Sequence, residues 1–214
     1  FREYLWDHAN HIIGRTAVRK YEPLSAEAKD RLITRYDAEI RYCDAQVERL
    51  VSSIQQQYPD TIFIITADHG EHFWDHDFLG HGLTMYDCEL RVPLFILGKS
   101  VIPEIITTPV NLVSIMPTVA GLLGFQQADN WQGHNLLVQN EVERPVFSYT
   151  RGTSPGLNTD VEAVVFGGLK YINDMRRNTA SLYSWLEEPY EKKDLLSEKP
   201  DVGEQMRQLL LEHR

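Results

Sequence analysis

Between Ser25 and Pro59 apolar residues recur at Leu32, Ile33, Tyr36, Ile40, Cys43, Val47, Leu50, Val51 and Ile54. Their spacing is that of one stripe on a long amphipathic helix. Such a stripe has to be covered, and no other feature constrains the fold as strongly. Ser25 is suited to cap the helix start, Asp37 and Arg41 pair four apart on the other face, and Pro59 ends it. On this reading Cys43 is a core thiol. Thr61-Ile-Phe-Ile-Ile-Thr66 follows at once, a continuous run that reads as a strand buried on both faces, as in parallel sheets under helices. Val92-Pro-Leu-Phe-Ile-Leu97 is a second such strand, with Pro93 near its start. A helix from near Thr84 stops before Val92, and another spans Val110 to Leu123, restarting at Pro117 and closing at Gly124. The first thirteen residues read as a short helix.

This order of elements is an α/β pattern. After about residue 145 the texture changes. Short strands are predicted at Pro145–Tyr149, Val161–Phe166, Leu169–Ile172 and Ser181–Trp185, with a hairpin at Gly167-Gly168 and a last helix from Val202 to His213. The expected organisation is therefore an α/β part over residues 1–144 and a small antiparallel subdomain with a terminal helix over 145–214. A chain of 214 residues has room for both.

Acidic residues outnumber basic ones by 31 to 21, a net charge of −10, which argues against a nucleic-acid partner. The apolar runs are too short for a membrane segment. Two cysteines, Cys43 and Cys88, are too few for a disulfide framework or a thiolate zinc site, and they leave the redox compartment open.

Side chains that do chemistry in open α/β sheets gather beyond the carboxyl ends of strands. Asp68 and His69 stand there, and a carboxylate beside an imidazole can give one divalent cation an oxygen and a nitrogen. Gly70 lets the chain turn so that both converge. The same tripeptide also serves as a plain polar turn. His72, His76 and His81, interleaved with Asp75 and Asp77, weigh toward the functional reading. His81, between Gly80 and Gly82, can donate to an anion or protonate a leaving oxygen, or be an exposed loop histidine. Phe73, Trp74 and Phe78 either stack on a sugar or aryl ring or cover the core.

Tyr36-Asp-Ala-Glu-Ile-Arg-Tyr-Cys-Asp44, Thr66-Ala-Asp-His-Gly-Glu71 and His81-Gly-Leu-Thr-Met-Tyr-Asp-Cys-Glu-Leu-Arg-Val-Pro-Leu94 occur in this order. Val113-Ser-Ile-Met-Pro-Thr118, Leu169-Lys-Tyr-Ile172, Leu182-Tyr183 and Asp194-Leu195 follow. Together they closely resemble the later half of the sulfatases, in the alkaline-phosphatase-like superfamily. The resemblance implies a layered sheet with helices plus a small C-terminal antiparallel sheet and helix. It places Asp68 and His69 at the pair that ligates the active-site cation, and His81 at the Lys or His that contacts the ester's anionic oxygens. Glu71 then either supports the ligands or is simply solvated, His72 and His76 are rim or loop residues, and Arg91 is a structural residue anchored to a carboxylate. The implied cofactor is a divalent metal ion, calcium foremost, with manganese, zinc or magnesium as other fits. His69 stands where many relatives have Asn, which pulls toward a transition metal or a phosphoryl substrate.

The family's nucleophile, a Ser or a Cys converted to formylglycine, sits in a C/S-x-P-x-R motif. No match occurs here: Ser114-Ile-Met-Pro and Ser197-Glu-Lys-Pro place Pro one position late. The early Asp pair that completes the metal site is missing as well. The chain is therefore expected to be a C-terminal portion of a sulfuric ester hydrolase, holding half a metal site and inactive alone, with formylglycine belonging to the other half. The expected substrate is a small-molecule or carbohydrate sulfate ester. The alternatives are a phosphonate or phosphate ester hydrolase of the same superfamily, and a non-catalytic binding or assembly module. Strand edges left open by a missing half predict self-association.

Overall fold

The computed structural model describes residues 24–138, 143–154, 157–186 and 190–214. The short helix expected over the first thirteen residues lies outside them. The chain divides into two compact units, one of Phe1–Leu83, Cys88–Glu104 and Thr153–Asn158, the other of Thr84–Asp87, Ile105–Gly152 and Thr159–Arg214.

In the first unit, helix α1 spans Ala26–Gln57, and the Ser25 hydroxyl accepts the Ala28 N–H at 3.2 Å, closing the first turn as expected. Its apolar stripe has the predicted helical spacing, yet no residue of α1 is buried. Ile40 and Leu50 are 53% and 60% exposed, and Cys43 is an exposed free thiol rather than a core one. Periodicity reports a face that is apolar; it does not report what lies on that face. Where α1 does make contact, Tyr36 meets the Phe73 ring at 4.8 Å between centroids and Lys29 sits over Trp74 at 4.7 Å.

Strand β1, Phe63–Thr66, pairs with β4, Leu94–Leu97, in register Phe63 to Leu97 and Thr66 to Leu94. The pairing is antiparallel, and Phe95 and Leu97 are exposed, so these are not parallel strands buried on both faces. The β-branched run marks a strand correctly but is blind to direction. Among the described residues each of the two has a partner on one side only. Between them lie a two-residue hairpin, β2 (His72–Phe73) with β3 (Leu79–Gly80), and a four-residue helix, α2 (Asp87–Leu90).

In the second unit, a 3-10 turn at Leu112–Ser114 leads into α3, Ile115–Leu122. The restart falls at Ile115, and Pro117 is carried in the first turn, where its missing N–H has no intrahelical partner to lose. Gly124, at φ 75°, ends the helix in the left-handed conformation. The antiparallel sheet then runs in the order β5 (Val146–Ser154), β6 (Leu157–Phe166), β7 (Leu169–Asp174), β8 (Thr179–Ser184). Gly167 and Gly168, at φ 59° and 72°, form the two-residue turn between Phe166 and Leu169 that the sequence predicts. Helix α4, Pro200–His213, lays Met206 and Leu210 on Val164, Tyr171 and Leu182 to make the unit's core. Among the described residues no helix is long and apolar enough to cross a membrane.

A charge is buried in this unit. Lys170 Nζ, with no exposed side-chain surface, lies 2.6 Å from Asp87 Oδ1 and 2.6 Å from Glu191 Oε1, while Glu191 Oε2 accepts the Asp87 N–H at 2.8 Å. Burial pushes the Glu191 carboxyl up from its ordinary value, against the downward pull of Lys170. Replacing Lys170 by Ala leaves two carboxylates facing each other without a counter-charge. The variant is expected to lose about 3–5 kcal/mol of unfolding free energy, read from the urea midpoint; a loss below about 1 kcal/mol would mean the cluster behaves as an exposed one.

Candidate functional site

The loop leaving β1 is set by a close approach. Gly70 N–H donates to the Glu89 carbonyl at 2.7 Å, and a Cβ at Gly70 would stand 2.1 Å from the Cys88 carbonyl oxygen. Only glycine fits there, which is why the turn after Asp68-His69 is followed by it. A Gly70→Ala chain is expected to lose about 1–3 kcal/mol in thermal or urea unfolding, and an unchanged midpoint would show that the loop can lift off α2.

Asp68 and His69 project beyond the carboxyl end of β1. Asp68 Oδ1 accepts the His69 N–H at 3.0 Å, and Asp68 Oδ2 lies 3.7 Å from His69 Nε2. The two side chains are 89% and 42% exposed. His69 Nδ1 is 2.9 Å from the Gly70 carbonyl oxygen. A carbonyl only accepts, so this bond puts the ring proton on Nδ1 and leaves the Nε2 lone pair on the side of the Asp68 carboxylate. An oxygen and a nitrogen donor thus face the same open space, which fits part of the coordination sphere of a divalent cation.

His81 joins them. Its ring stacks on that of His69, with centroids 4.1 Å apart and planes 28° from parallel, and its Nδ1 is 3.0 Å from Glu71 Oε2. The three predicted residues Asp68, His69 and His81 are therefore together, and Glu71 is tied to His81 rather than simply solvated. Glu71 also contributes, after burial, to raising the Tyr36 hydroxyl above its ordinary value.

His72 has another fate. It is fully buried, with Nε2 3.3 Å from Glu89 Oε2 and Nδ1 3.1 Å from Cys88 Sγ, so it is neither a rim nor a loop residue. Burial, the largest single influence, lowers its pKa. Hydrogen bonds to Cys88 and Glu89 and their negative charge overcome this and push it up to about 10. Glu89, 4% exposed, also accepts the backbone N–H groups of Gly82 and Leu83 on its Oε1. Glu89 and Cys88 were not legible as site residues. They lie in a four-residue helix with no periodic signal, and their importance comes from what folds onto them.

Phe73 and Trp74 are engaged by α1, and Phe78 is tilted on His72 at 5.6 Å. Arg91 is exposed.

A proton on His72 favours the folded state. With a folded pKa of about 10 against an ordinary 6.5, this stabilisation is fully present below pH 6.5 and is lost as pH rises through about 10. Urea unfolding in the presence of a chelator is expected to show falling stability across that window, and the fall should flatten in His72→Gln. A flat profile for the unaltered chain would contradict the buried imidazolium.

The chain is similar to known proteins in sequence and in fold. The family model described as Sulfatase matches residues 4–125. The uncharacterized sulfatase YidJ of Escherichia coli (strain K12) is 27% identical over 128 residues, covering 59% of this chain and 24% of that protein. BT4656, solved in complex with its substrate D-glucosamine-2-N,6-O-disulfate, superposes with a TM-score of 0.75 at 19% identity, over 97% of this chain and 46% of that one. The phosphonate monoester hydrolase SpPMH from Silicibacter pomeroyi gives a TM-score of 0.66 at 19% identity, over 80% and 38%. The chain spans less than half the length of each of these. Its fold is the alkaline-phosphatase-like one, with helices, sheets and a C-terminal four-stranded antiparallel sheet and helix, and the chain belongs to the sulfatase family.

Proposed function

We propose that this sulfatase-family chain supplies part of the active site of a sulfuric ester hydrolase. Asp68 and His69 hold one side of a divalent metal, and His81 contacts the anionic or leaving oxygen of the ester. The observation that carries the reading is the convergence of these side chains beyond β1, with the His69 and His81 rings 4.1 Å apart.

When bound, the metal supplies positive charge to polarise the ester's anionic oxygens. The chain's own residues do the positioning. The Gly70 carbonyl fixes the His69 ring so that Nε2 is the ligand atom. The Glu71 carboxylate holds His81 by Nδ1, which turns Nε2 outward to accept a hydrogen bond when neutral or to donate a proton when charged. The nucleophile is assigned outside these residues, since no C/S-x-P-x-R motif occurs among them. A sulfated small molecule or carbohydrate is the substrate class, a reading supported by the glucosamine disulfate bound to BT4656. A phosphonate or phosphate ester is the second reading. It is favoured by His69, a nitrogen ligand suited to transition metals, and by the fold shared with the phosphonate monoester hydrolase SpPMH.

The test compares aryl sulfate, sugar sulfate and phenyl phosphonate as substrates. The 214-residue chain alone is expected to turn over none of them. In a polypeptide that joins it to the nucleophile motif, Asp68→Asn and His81→Ala should each lower kcat/KM by about 10²–10³-fold. Kinetics unchanged by either substitution would remove that residue from the site. A preference for phenyl phosphonate would select the second reading. The edges of β1 and β4 that lack a partner among the described residues further lead us to expect self-association, seen as a mass above 24.7 kDa in light scattering.

A further inference from the structure

The buried His72 of β2 does not belong to the Asp68, His69 and His81 group, and its neighbours are of a different chemical kind. We propose that His72, Asp75 and Cys88 form a separate site for a thiophilic divalent cation, zinc in the first place, which ties the β2–β3 loop to α2. One ligand atom from each of the three residues lies within 4.8 Å of the other two, and His72 Nδ1 is already 3.1 Å from Cys88 Sγ. Ligands on tetrahedral zinc stand about 3.5 Å apart for a nitrogen and a thiolate. Side-chain rotation of an ångström or less at each residue therefore reaches that arrangement.

Thiolate, imidazole and carboxylate together select zinc or its neighbours over calcium and magnesium, which take oxygen ligands. The second ring nitrogen is in place for ligation too. Glu89 Oε2 lies 3.3 Å from His72 Nε2, so Nε2 carries the proton toward the carboxylate and Nδ1 is the atom presented to the metal. Asp75 is held for the role. Its Oδ2 accepts the Phe73 N–H at 3.0 Å, and its backbone carbonyl, 3.1 Å from His72 Nδ1, accepts the Nδ1 proton that the ion would displace. The loop that carries it is costly to hold, because Trp74, His76 and Asp77 all have positive φ. A cation bridging His72 and Asp75 to Cys88 would offset part of that strain. Uptake displaces the proton on His72 Nδ1, and the Cys88 thiolate and the Asp75 carboxylate offset the charge of the ion. Burial decreases from His72 through Cys88 to Asp75, which gives the ion an entry from solvent and leaves a position for water.

Cobalt(II) is the probe, because a thiolate bound to it gives an intense near-ultraviolet charge-transfer band. The titration uses the Cys43→Ser chain, so that Cys88 is the one thiol. A band that saturates at one cobalt per chain is expected, displaced by zinc but not by calcium or magnesium. It should survive Asp68→Asn, which alters the other group, and vanish in Cys88→Ser. Glu89→Gln should weaken binding by about 10–100-fold. On the unaltered cluster, zinc should slow alkylation of Cys88 by about tenfold or more, a measurement that needs no substitution at the site. Absence of the band, its persistence after Cys88→Ser, or alkylation unaffected by zinc would overturn the proposal.

Discussion

The Glu89 carboxylate holds the first unit's functional end together. One of its oxygens takes the Gly82 and Leu83 N–H groups, the other faces His72 Nε2, and its backbone carbonyl takes the Gly70 N–H. Gly70 follows directly on Asp68 and His69, and Gly82 on His81. A single buried acid therefore sets the position of both segments that carry candidate ligands. A buried carboxylate would be expensive without partners. Here the imidazolium of His72 supplies the charge and the backbone supplies the hydrogen bonds, so desolvation that would penalise either group alone is shared by the pair.

The exposed face of α1 has a different physical basis. A stripe from Leu32 to Ile54 is as regular as that of any core helix, and yet Ile33, Tyr36, Ile40 and Leu50 remain open to solvent. Exposed contiguous apolar surface of this kind is unusual for a face meant to meet only water. The edges of β1 and β4 that have no partner among the described residues point the same way.

Local rules read most of the elements. The Ser25 cap, the turn at Gly167-Gly168, the four C-terminal strands and α4 were legible because each depends on neighbours in sequence: a side chain on its own first turn, a positive φ that glycine allows, an alternation along one strand. The direction of β1 against β4 was not legible, since Ile64 and Ile65 suit either pairing. The burial of Cys43 was misread because a helical stripe says nothing about its cover. The Lys170 cluster escaped because Asp87, Lys170 and Glu191 are brought together by the fold from far-apart positions. Family motifs, in contrast, singled out Asp68, His69 and His81 as candidates, and their proximity follows from the strand end and the glycines beside them.

Three histidines in one short stretch show where sequence reading stops. His69, His72 and His81 share a residue type and a polar neighbourhood, yet the first and last are exposed and stacked while the middle one is fully buried. The pleat of β2 accounts for it. Successive side chains on a strand face opposite ways, so Phe73 goes to α1 while His72 goes inward to Glu89 and Cys88. Inside, an imidazole must either give up its proton or find negative charge, and Glu89 and Cys88 provide it. Outside, His69 and His81 have one ring nitrogen each engaged by Gly70 and Glu71, and Nε2 of His69 lies on the side of the Asp68 carboxylate. What separates the buried histidine from the exposed pair is therefore which nitrogens the fold has already engaged, and that depends on partners such as Gly70, Glu71 and Glu89, which acquire their roles through folding.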